Sequence, residues 1–201
     1  MSERFSNLMQ SIKESSKNIK VLPLDPAVLA DIQQKYDMNS ESLLGAIIYN
    51  CGGIVIDNWI RIYGAGELDF ASRNQLFPYE DIVVGEDIIG GLFVILDGGN
   101  VGYFAPDTLE IEDMEISFGQ FMYWCVQGDT DLFYQDYRWT NWQKEVADMD
   151  LDKGVAFYPF LWAQAEYLEG RRREQIPMKE IIGMQFEFLK AKELEEFALN
   201  L

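Results

Sequence analysis

Apolar residues recur at helical spacing in two segments near the start of the chain. In "LPLDPAVLADIQQKY" the apolar face follows Asp25, which can cap a helix, and Pro26, which suits the first helical position. In "NSESLLGAIIYNCGG" the apolar face follows a cap at Asn39 or Ser40 and ends at two glycines. The pattern predicts two consecutive helices.

The hydrophobic period changes to two residues after these helices. The segment "GIVIDNWIRIYGAGEL" alternates β-branched or aromatic residues with polar ones around the turn pair Asp57-Asn58, so it predicts two short strands or a hairpin. Residues 82–84 predict another brief strand. The nearly continuous apolar run at 91–96 predicts a strand buried on both faces, paired with a strand at 101–104 across "DGGN".

The glycines of "DGGNVG" could cradle a phosphate or only turn the chain. Phosphate-binding loops need GxxxxGK[ST], or GxGxxG between a strand and a helix. Here strand-like residues follow the glycines, and the neighbouring Asp97 would repel a phosphate. Glycine also supplies the positive φ that short hairpin turns need. We therefore predict a hairpin turn and no nucleotide or other cofactor.

After Pro106 the spacing is helical for most of the chain, and "IPMKEIIGMQFEFLKAKELEEF" predicts a C-terminal helix. The order of helices, then strands, then helices predicts an α+β fold rather than alternating βαβ units. We expect residues 1–24 to form a helical lead-in and residues 25–201 to form a single α+β domain with C-terminal helices.

Composition restricts the chemistry that the chain can perform. It contains no histidine, which excludes Ser-His and Cys-His nucleophile systems and His-based zinc sites. The segment "DMDLDKG" resembles the start of a calcium loop, but Lys153 replaces the required glycine and Pro159 replaces the twelfth-position glutamate, so no metal site is predicted.

Cys51 and Cys125 lie among apolar neighbours and are predicted to be buried thiols. The polar N-terminus and the lack of an apolar run of roughly 18 residues predict a cytoplasmic protein without a membrane span.

Charge is the strongest compositional signal. The chain has 34 acidic and 16 basic residues, a net charge of −18, and no Lys or Arg between Arg73 and Arg138. Such a field repels nucleic acid and anionic membranes and attracts basic proteins. The acids of this stretch that we predict to bind a partner are Glu86, Asp87, Asp107 and Glu112. The alternative is a solvated acidic surface that only keeps the protein in solution.

The segment "YQDYRWTNWQKE" supplies further candidate contact residues. Tyr137, Arg138, Trp139 and Trp142 are of the types that form protein hot spots and sugar platforms. The alternative places these aromatic rings in the core, with Arg138 paired to a carboxylate. The basic cluster 171–173 follows a predicted helix and is expected to pair with acids of the same subunit or of a second copy, so a homodimer is left open.

Several of these segments together resemble an uncharacterised bacterial family, domain of unknown function 2625. The resemblance rests on "GAIIYNCGGIVIDNWIRIYGAG", "GEDIIGGLFVILDGGNVGYFAPDTLE", "SFGQFMYW" and "FYQDYRW" and covers most of residues 25–190. That family in turn resembles the SUKH superfamily, in which a helix ends in an Asn-Gly-Gly-like turn, a glycine-bearing hairpin follows, and the next helix begins with "SFxxF". The matching residues are Asn50, Gly52 and Gly53, the hairpin 90–104, and Ser117, Phe118 and Phe121.

The resemblance implies a six-stranded or similar mixed or antiparallel central sheet flanked by helices, with a helical C-terminal extension. It also implies a non-enzymatic protein-binding module, because many SUKH members are immunity proteins that neutralise toxins and no catalytic residues or cofactors are known for the group. A basic toxin domain would suit the acidic stretch. The alternative function is a carbohydrate-binding or carbohydrate-active protein that uses Trp139 and Trp142 with carboxylates.

Overall fold

The structure is a computed structural model that describes residues 3–164 and 167–199, with side chains described as far as Lys192. The described elements follow the chain in this order: α1 (Glu3–Glu14), β1 (Ile19–Leu22), α2 (Pro26–Lys35), α3 (Leu43–Asn50), β2 (Gly53–Ile56), β3 (Ile60–Tyr63), α4 (Phe70–Asn74), β4 (Ile82–Asp87), β5 (Leu92–Ile95), β6 (Asn100–Phe104), β7 (Ile111–Ser117), α5 (Phe118–Gln127), α6 (Thr130–Phe133), α7 (Trp142–Glu145), β8 (Lys153–Tyr158), β9 (Arg172–Pro177) and α8 (Met178–Leu199).

The central sheet contains strands β1 to β7 in sequence order, and each strand pairs antiparallel with the next. The strands β8 and β9 form a separate antiparallel pair. The predicted α+β class with a central sheet flanked by helices is confirmed. The sheet has seven strands where the resemblance implied about six, and the described strand pairs are antiparallel rather than mixed.

Alternating side chains of the sheet enter two separate layers of core, as the two-residue period of a strand requires. On one face Ile54 and Ile62 pack in a cluster that includes Phe5 of α1 and Phe121 of α5. On the other face Val55 of β2 and Tyr63 of β3 pack in a second cluster. The helices contribute Ile32 of α2, Phe70 of α4 and Ile181 of α8 to this cluster. The sheet therefore lies between two helical layers.

The segment before residue 25, which we expected to be a helical lead-in, contributes to both the sheet and the core. Strand β1 pairs with β2 along its full length, from Ile19 opposite Ile56 to Leu22 opposite Gly53. Phe5 and Leu8 of α1 are buried in the same cluster as the β2 side chains. Helix α1 and strand β1 thus pack as parts of the α+β body.

The "DGGN" segment forms the predicted hairpin turn. It joins β5 to β6, the Leu96 amide donates to the Asn100 carbonyl at 2.9 Å, and the Gly99 amide donates to the Leu96 carbonyl at 2.8 Å. Gly99 has φ +83°, a conformation that a residue with a Cβ adopts only with strain. This turn is hydrogen-bonded to its own strands, and its residues lead into β6 rather than into a helix.

The helices and strands predicted before Pro106 and the two buried cysteines are confirmed, but α3 is capped by Ser42 rather than by Asn39 or Ser40. The helix α5 begins at Ser117, whose side chain and that of Gln120 form a reciprocal capping box. The prediction of mostly helical structure after Pro106 is wrong at three places, because β7, β8 and β9 are strands. The arginines 172–173 lie in β9 and do not follow a helix. Within the described ranges, no helix has the length and apolar character needed to span a membrane.

Candidate functional site

Glu86, predicted to bind a partner, is a buried counter-ion. Its side chain is 0% exposed and accepts hydrogen bonds from Arg61 Nη1 at 3.3 Å, Arg73 Nη1 at 2.8 Å and the Tyr63 hydroxyl at 2.8 Å. The two guanidinium groups also donate to main-chain carbonyls just before and at the start of β8, Arg61 to Lys153 and Arg73 to Leu151. The network ties α4 and β8 to the sheet, and Glu86 is not available to a partner.

Asp87, the second acid in this stretch, is also buried and so is not a partner-binding residue. One carboxylate oxygen accepts from the amides of Ile89 at 3.0 Å and Gly91 at 2.9 Å. The other accepts from the hydroxyls of Tyr103 at 2.7 Å and Tyr134 at 3.1 Å. Burial raises the pKa of Asp87, although these four hydrogen bonds oppose the shift.

The aromatic cluster of the sequence lies mainly in the core. Trp139 is 2% exposed and Trp142 is 7% exposed, so neither ring offers a free face. Arg138 places its guanidinium among Trp59 at 4.9 Å, Tyr134 at 5.1 Å and Trp142 at 4.5 Å, and it pairs with Asp131. For these residues the core interpretation is correct, and the prediction of a partner-binding role for Arg138, Trp139 and Trp142 is wrong.

The three remaining candidates, Asp107, Glu112 and Tyr137, come together in one open cavity of about 450 Å³, which we call the acidic groove. It lies between the β6–β7 edge of the sheet and the α6 segment, and its lining residues are Tyr103, Ala105, Asp107, Thr108, Glu112, Asp113, Met114, Phe133 and Tyr137. Elements that are distant in the chain, at 103–114 and at 133–137, therefore build a common surface.

The aromatic side of the groove is held rigidly. Tyr103 lies opposite Glu112 in the β6–β7 ladder, and its hydroxyl is fixed by Asp87. Phe133 meets the Tyr103 ring edge to face with centroids 5.1 Å apart, and it contacts Trp124 in the same way at 5.2 Å. Burial, and then a hydrogen bond to the Asp107 carboxylate, raise the pKa of Tyr137. The Tyr137 hydroxyl therefore stays protonated and polar beside the acids.

The acidic side of the groove lacks a counter-charge. No lysine or arginine lines it, and the ion pairs found among the described residues do not involve Asp107, Glu112 or Asp113. Asp107 accepts from the Thr108 amide at 3.0 Å. The side chain of Asp113, on the face of β7 opposite Glu112, accepts from Asn100 Nδ2 at 3.1 Å and from the Glu115 amide at 2.7 Å. These neutral donors leave the negative charge of each carboxylate in place.

The groove suits an organic cation. In the part of the chain that the structure describes, no three His, Cys, Asp or Glu side chains are grouped so that they could hold a metal ion. An ammonium or guanidinium group, in contrast, can bind carboxylates that are spread along a wall and can lie against aromatic rings. The arrangement of acids beside Phe133 and Tyr137 is therefore able to hold Lys or Arg side chains.

A larger cleft of about 580 Å³ lies elsewhere, lined in part by Lys17, Asp57, Asp131 and Trp142. Unlike the acidic groove, this cleft contains a cation, Lys17, among its acids, and one of those acids, Asp131, pairs with Arg138. Lys17 Nζ donates to the Cys125 carbonyl at 2.9 Å and to Thr130 Oγ1 at 3.1 Å. Burial lowers the pKa of Lys17, with Asp57 acting in the opposite direction. We therefore take the acidic groove, with its unpaired charges, as the candidate site.

Sequence reasoning did not find Tyr103, Asp113, Met114 or Phe133 as site residues. The pairing of β6 with β7 brings Tyr103 and Glu112 together, but we interpreted the segment after Pro106 as helical. The signal available in the sequence is the alternation of apolar Met114 and Ile116 with polar Glu115 and Ser117. In the structure the two apolar residues are half-buried and the two polar residues are exposed.

The comparisons with known proteins give the family of the chain without giving an activity. The chain is 31% identical over 191 residues to an uncharacterised protein of Escherichia coli (strain K12), YbfG, and the match covers 88% of this chain and 87% of the relative. It is 28% identical over 189 residues to an uncharacterised protein of Haemophilus influenzae (strain KW20 / Rd), covering 84% of this chain and 82% of the relative. No solved structure matches the chain.

The sequence profile of a protein family described as "Protein of unknown function DUF2625" matches residues 2–181. The matched range contains the central sheet, the acidic groove and the β8–β9 hairpin. The chain belongs to the DUF2625 family.

Proposed function

We propose that this protein is a non-enzymatic protein-binding module that holds basic side chains of a partner in the acidic groove. The observation that carries the proposal is the grouping of Asp107 and Glu112, without a cation, beside Phe133 and Tyr137. A free lysine or arginine on a partner would neutralise these acids and lie against the rings.

The proposed partner is a basic toxin domain, and the proposed role is that of a SUKH-like immunity protein in the cytoplasm. Enzymes that cleave nucleic acid carry positively charged surfaces for their substrate. A protein with net charge −18 and a cation-binding groove is complementary to such a surface. Binding would cover the substrate site of the toxin and so block it.

The carbohydrate alternative has less support from the geometry. A sugar ring stacks on an exposed aromatic face, whereas Trp139 and Trp142 are packed against Trp59 with ring centroids 5.8 and 4.8 Å away. A sugar would have to use the larger cleft, where Trp142 is 7% exposed. We therefore retain protein binding as the proposed function.

The test is affinity capture followed by quantitative binding. The bait is the wild-type protein, a groove variant with Asp107→Asn and Glu112→Gln, or a control variant with Asp148→Asn and Glu187→Gln. The control removes two charges at exposed carboxylates outside the groove, so both variants have the same net charge. We expect the captured protein to bind wild type and control equally and the groove variant about tenfold or more weakly by calorimetry.

The immunity role has its own readout. Expression of the captured protein alone should stop bacterial growth, and co-expression with wild type, but not with the groove variant, should restore it. Equal affinity of the captured protein for wild type and the groove variant would show that the acidic groove is not its binding site. Full growth with the captured protein alone would contradict the immunity role.

A further inference from the structure

Among the described strands, β7 is an edge of the central sheet, and one side of its backbone has no partner strand there. It is the last strand in the sheet order, and β6 is the strand with which it pairs. The Ala105 amide donates to the Glu110 carbonyl at 3.0 Å, which fixes the alternation of the ladder. Along an antiparallel pair of strands, hydrogen-bonded residue pairs alternate with pairs that are not bonded to each other. Tyr103 and Glu112 are therefore the next bonded pair. Ile111 and Asp113 belong to the pairs that are not bonded, so their N–H and C=O groups point away from β6.

This free edge can accept an added strand over a short length. Ile111 is an apolar side chain that is 37% exposed there. The ladder is interrupted further along, where the register shifts between Asn100 and Gly102 and Glu115 takes φ +57°. Such bulges end regular pairing. The free pairing groups therefore lie close to the acidic groove, which Glu112 and Asp113 line.

Charge decides which kind of strand can occupy this edge. Glu112, Asp113 and Glu115 are exposed along β7, and Glu110 precedes it. Pairing of β7 with β7 of a second copy would bring acids into opposition, which destabilises a strand pair. The opposite edge, β1, has the sequence IKVL and offers one lysine. The complementary occupant is an extended segment of another protein with several basic residues.

We propose that β7 is the docking edge for the partner, which adds an extended basic segment as an eighth strand and places a Lys or Arg side chain in the acidic groove. The inference rests on the proposed function and specifies its mode of binding. Hydrogen bonds to the Ile111 and Asp113 main chain hold the segment at the edge. Alternate side chains of an extended segment lie on one face, so basic residues two positions apart would share the face that Glu112 occupies.

The experiment uses a synthetic peptide of about nine residues in which Lys alternates with Thr, long enough to cover β7. Two further peptides have the same sequence, with N-methyl groups on either the odd or the even backbone amides, so each lacks the donors of one edge. Affinity for the full-length protein is measured by fluorescence anisotropy. Exchange of the Ile111 and Asp113 amides is measured by NMR.

We expect the unmodified peptide to bind and to slow the exchange of both amides. One of the two N-methylated peptides should bind about tenfold or more weakly, because it lacks the main-chain donors that face β7, while the other should bind like the unmodified peptide. Only one edge of an added strand faces the sheet, so this asymmetry reports strand addition.

Three outcomes would overturn the proposal, and the first separates it from the proposed function. If all three peptides bind equally without amide protection, and binding is lost in the Asp107→Asn, Glu112→Gln variant, the groove binds cations but β7 does not accept a strand. If no peptide binds, or if all three bind that variant as well as wild type and without amide protection, neither the docking edge nor the groove has the assigned role. If exchange of the Ile111 and Asp113 amides slows as the protein concentration rises without peptide, β7 pairs with a second copy of the chain instead.

Discussion

Glu86 is a carboxylate that faces two guanidinium groups inside the protein, and we expect its charge to be essential to the fold. The change Glu86→Gln keeps the shape of the side chain but leaves Arg61 and Arg73 without their buried counter-charge. Breaking a buried ion pair from one side costs about 3–5 kcal/mol of the free energy of unfolding. Urea unfolding followed by tryptophan fluorescence measures this loss.

The matched control is Glu110→Gln, which removes one exposed charge close to the groove. Its effect on the free energy of unfolding should be within about 0.5 kcal/mol. A loss below about 1 kcal/mol for Glu86→Gln would mean that the buried guanidinium groups are satisfied by the carbonyls of Leu151 and Lys153 alone.

Asp87 should make part of the stability depend on pH in an unusual direction. Burial raises its pKa in the folded protein above the ordinary value of 3.8, so the folded state holds this proton more tightly than the unfolded state. The contribution of Asp87 to the free energy of unfolding therefore falls as the pH rises from below 3.8 through the folded pKa. The Asp87→Asn variant lacks this titration.

Urea unfolding at a series of pH values from about 4 to 8 checks the prediction, since that range begins near the unfolded pKa. We expect wild type to lose stability relative to Asp87→Asn as the pH rises. If wild type gained relative stability instead, the hydrogen bonds from Tyr103, Tyr134 and the two amides would outweigh burial, and the folded pKa of Asp87 would lie below its ordinary value.

At the scale of elements, the β5–β6 hairpin offers a test of turn geometry. Gly98 and Gly99 have open space around the position that a Cβ would take, but Gly99 has φ +83°. Gly99→Ala should therefore lower the free energy of unfolding by about 1–2 kcal/mol, because an L-residue in this conformation is strained. Gly98→Ala should change it by less than about 0.5 kcal/mol, since no steric contact opposes it. Equal effects in thermal unfolding would show that positive φ does not control this turn.

The elements that sequence patterns predict well are those with a clear local signal. The helices α2 and α3 have caps, an apolar stripe and a defined end, and the β5–β6 hairpin has glycines between apolar runs. Strand β7, "IEDMEIS", has three acids in seven residues, which disfavours a strand by local propensity. Its pairing with β6 determines its structure, and a local pattern does not contain that information.

The candidate site was only partly predictable for a related reason. The sequence indicates that acids between 74 and 137 are concentrated, but it does not indicate which of them are internal. Glu86 is buried because Arg61 lies opposite it on the neighbouring strand, and Asp87 because Tyr103 and Tyr134 donate to it. Asp107, Glu112 and Tyr137 form one site because the chain returns past β7 after α5. These are long-range contacts.

At the scale of the whole molecule, the acidic stretch divides into two parts with different roles. Glu86 and Asp87 organise the interior, so reversing their charge would damage the fold and would say nothing about a partner. Asp107 and Glu112 line an open groove and contribute to the external field of a protein with net charge −18. This field should guide a basic partner to the groove before contact.

The resulting prediction concerns the association rate of the partner that affinity capture identifies. Glu112 is exposed, Asp107 is half-buried, and neither carboxylate has an ion pair among the described residues, so these charges should contribute only about 0–1 kcal/mol to stability. Asp107→Lys with Glu112→Lys should therefore leave the fold intact while opposing approach of a basic surface. In stopped-flow measurements wild type should associate about tenfold or more faster at low salt than at high salt, because ions screen charges beyond roughly 10 Å at 0.1 M. The reversed variant should be slow under both conditions.

The control with Asp148→Lys and Glu187→Lys has the same net charge and should retain most of the salt dependence, since its changes lie outside the groove. An association rate that responds neither to salt nor to reversal at the groove would show that the acidic stretch is a solvated surface without a role in capture.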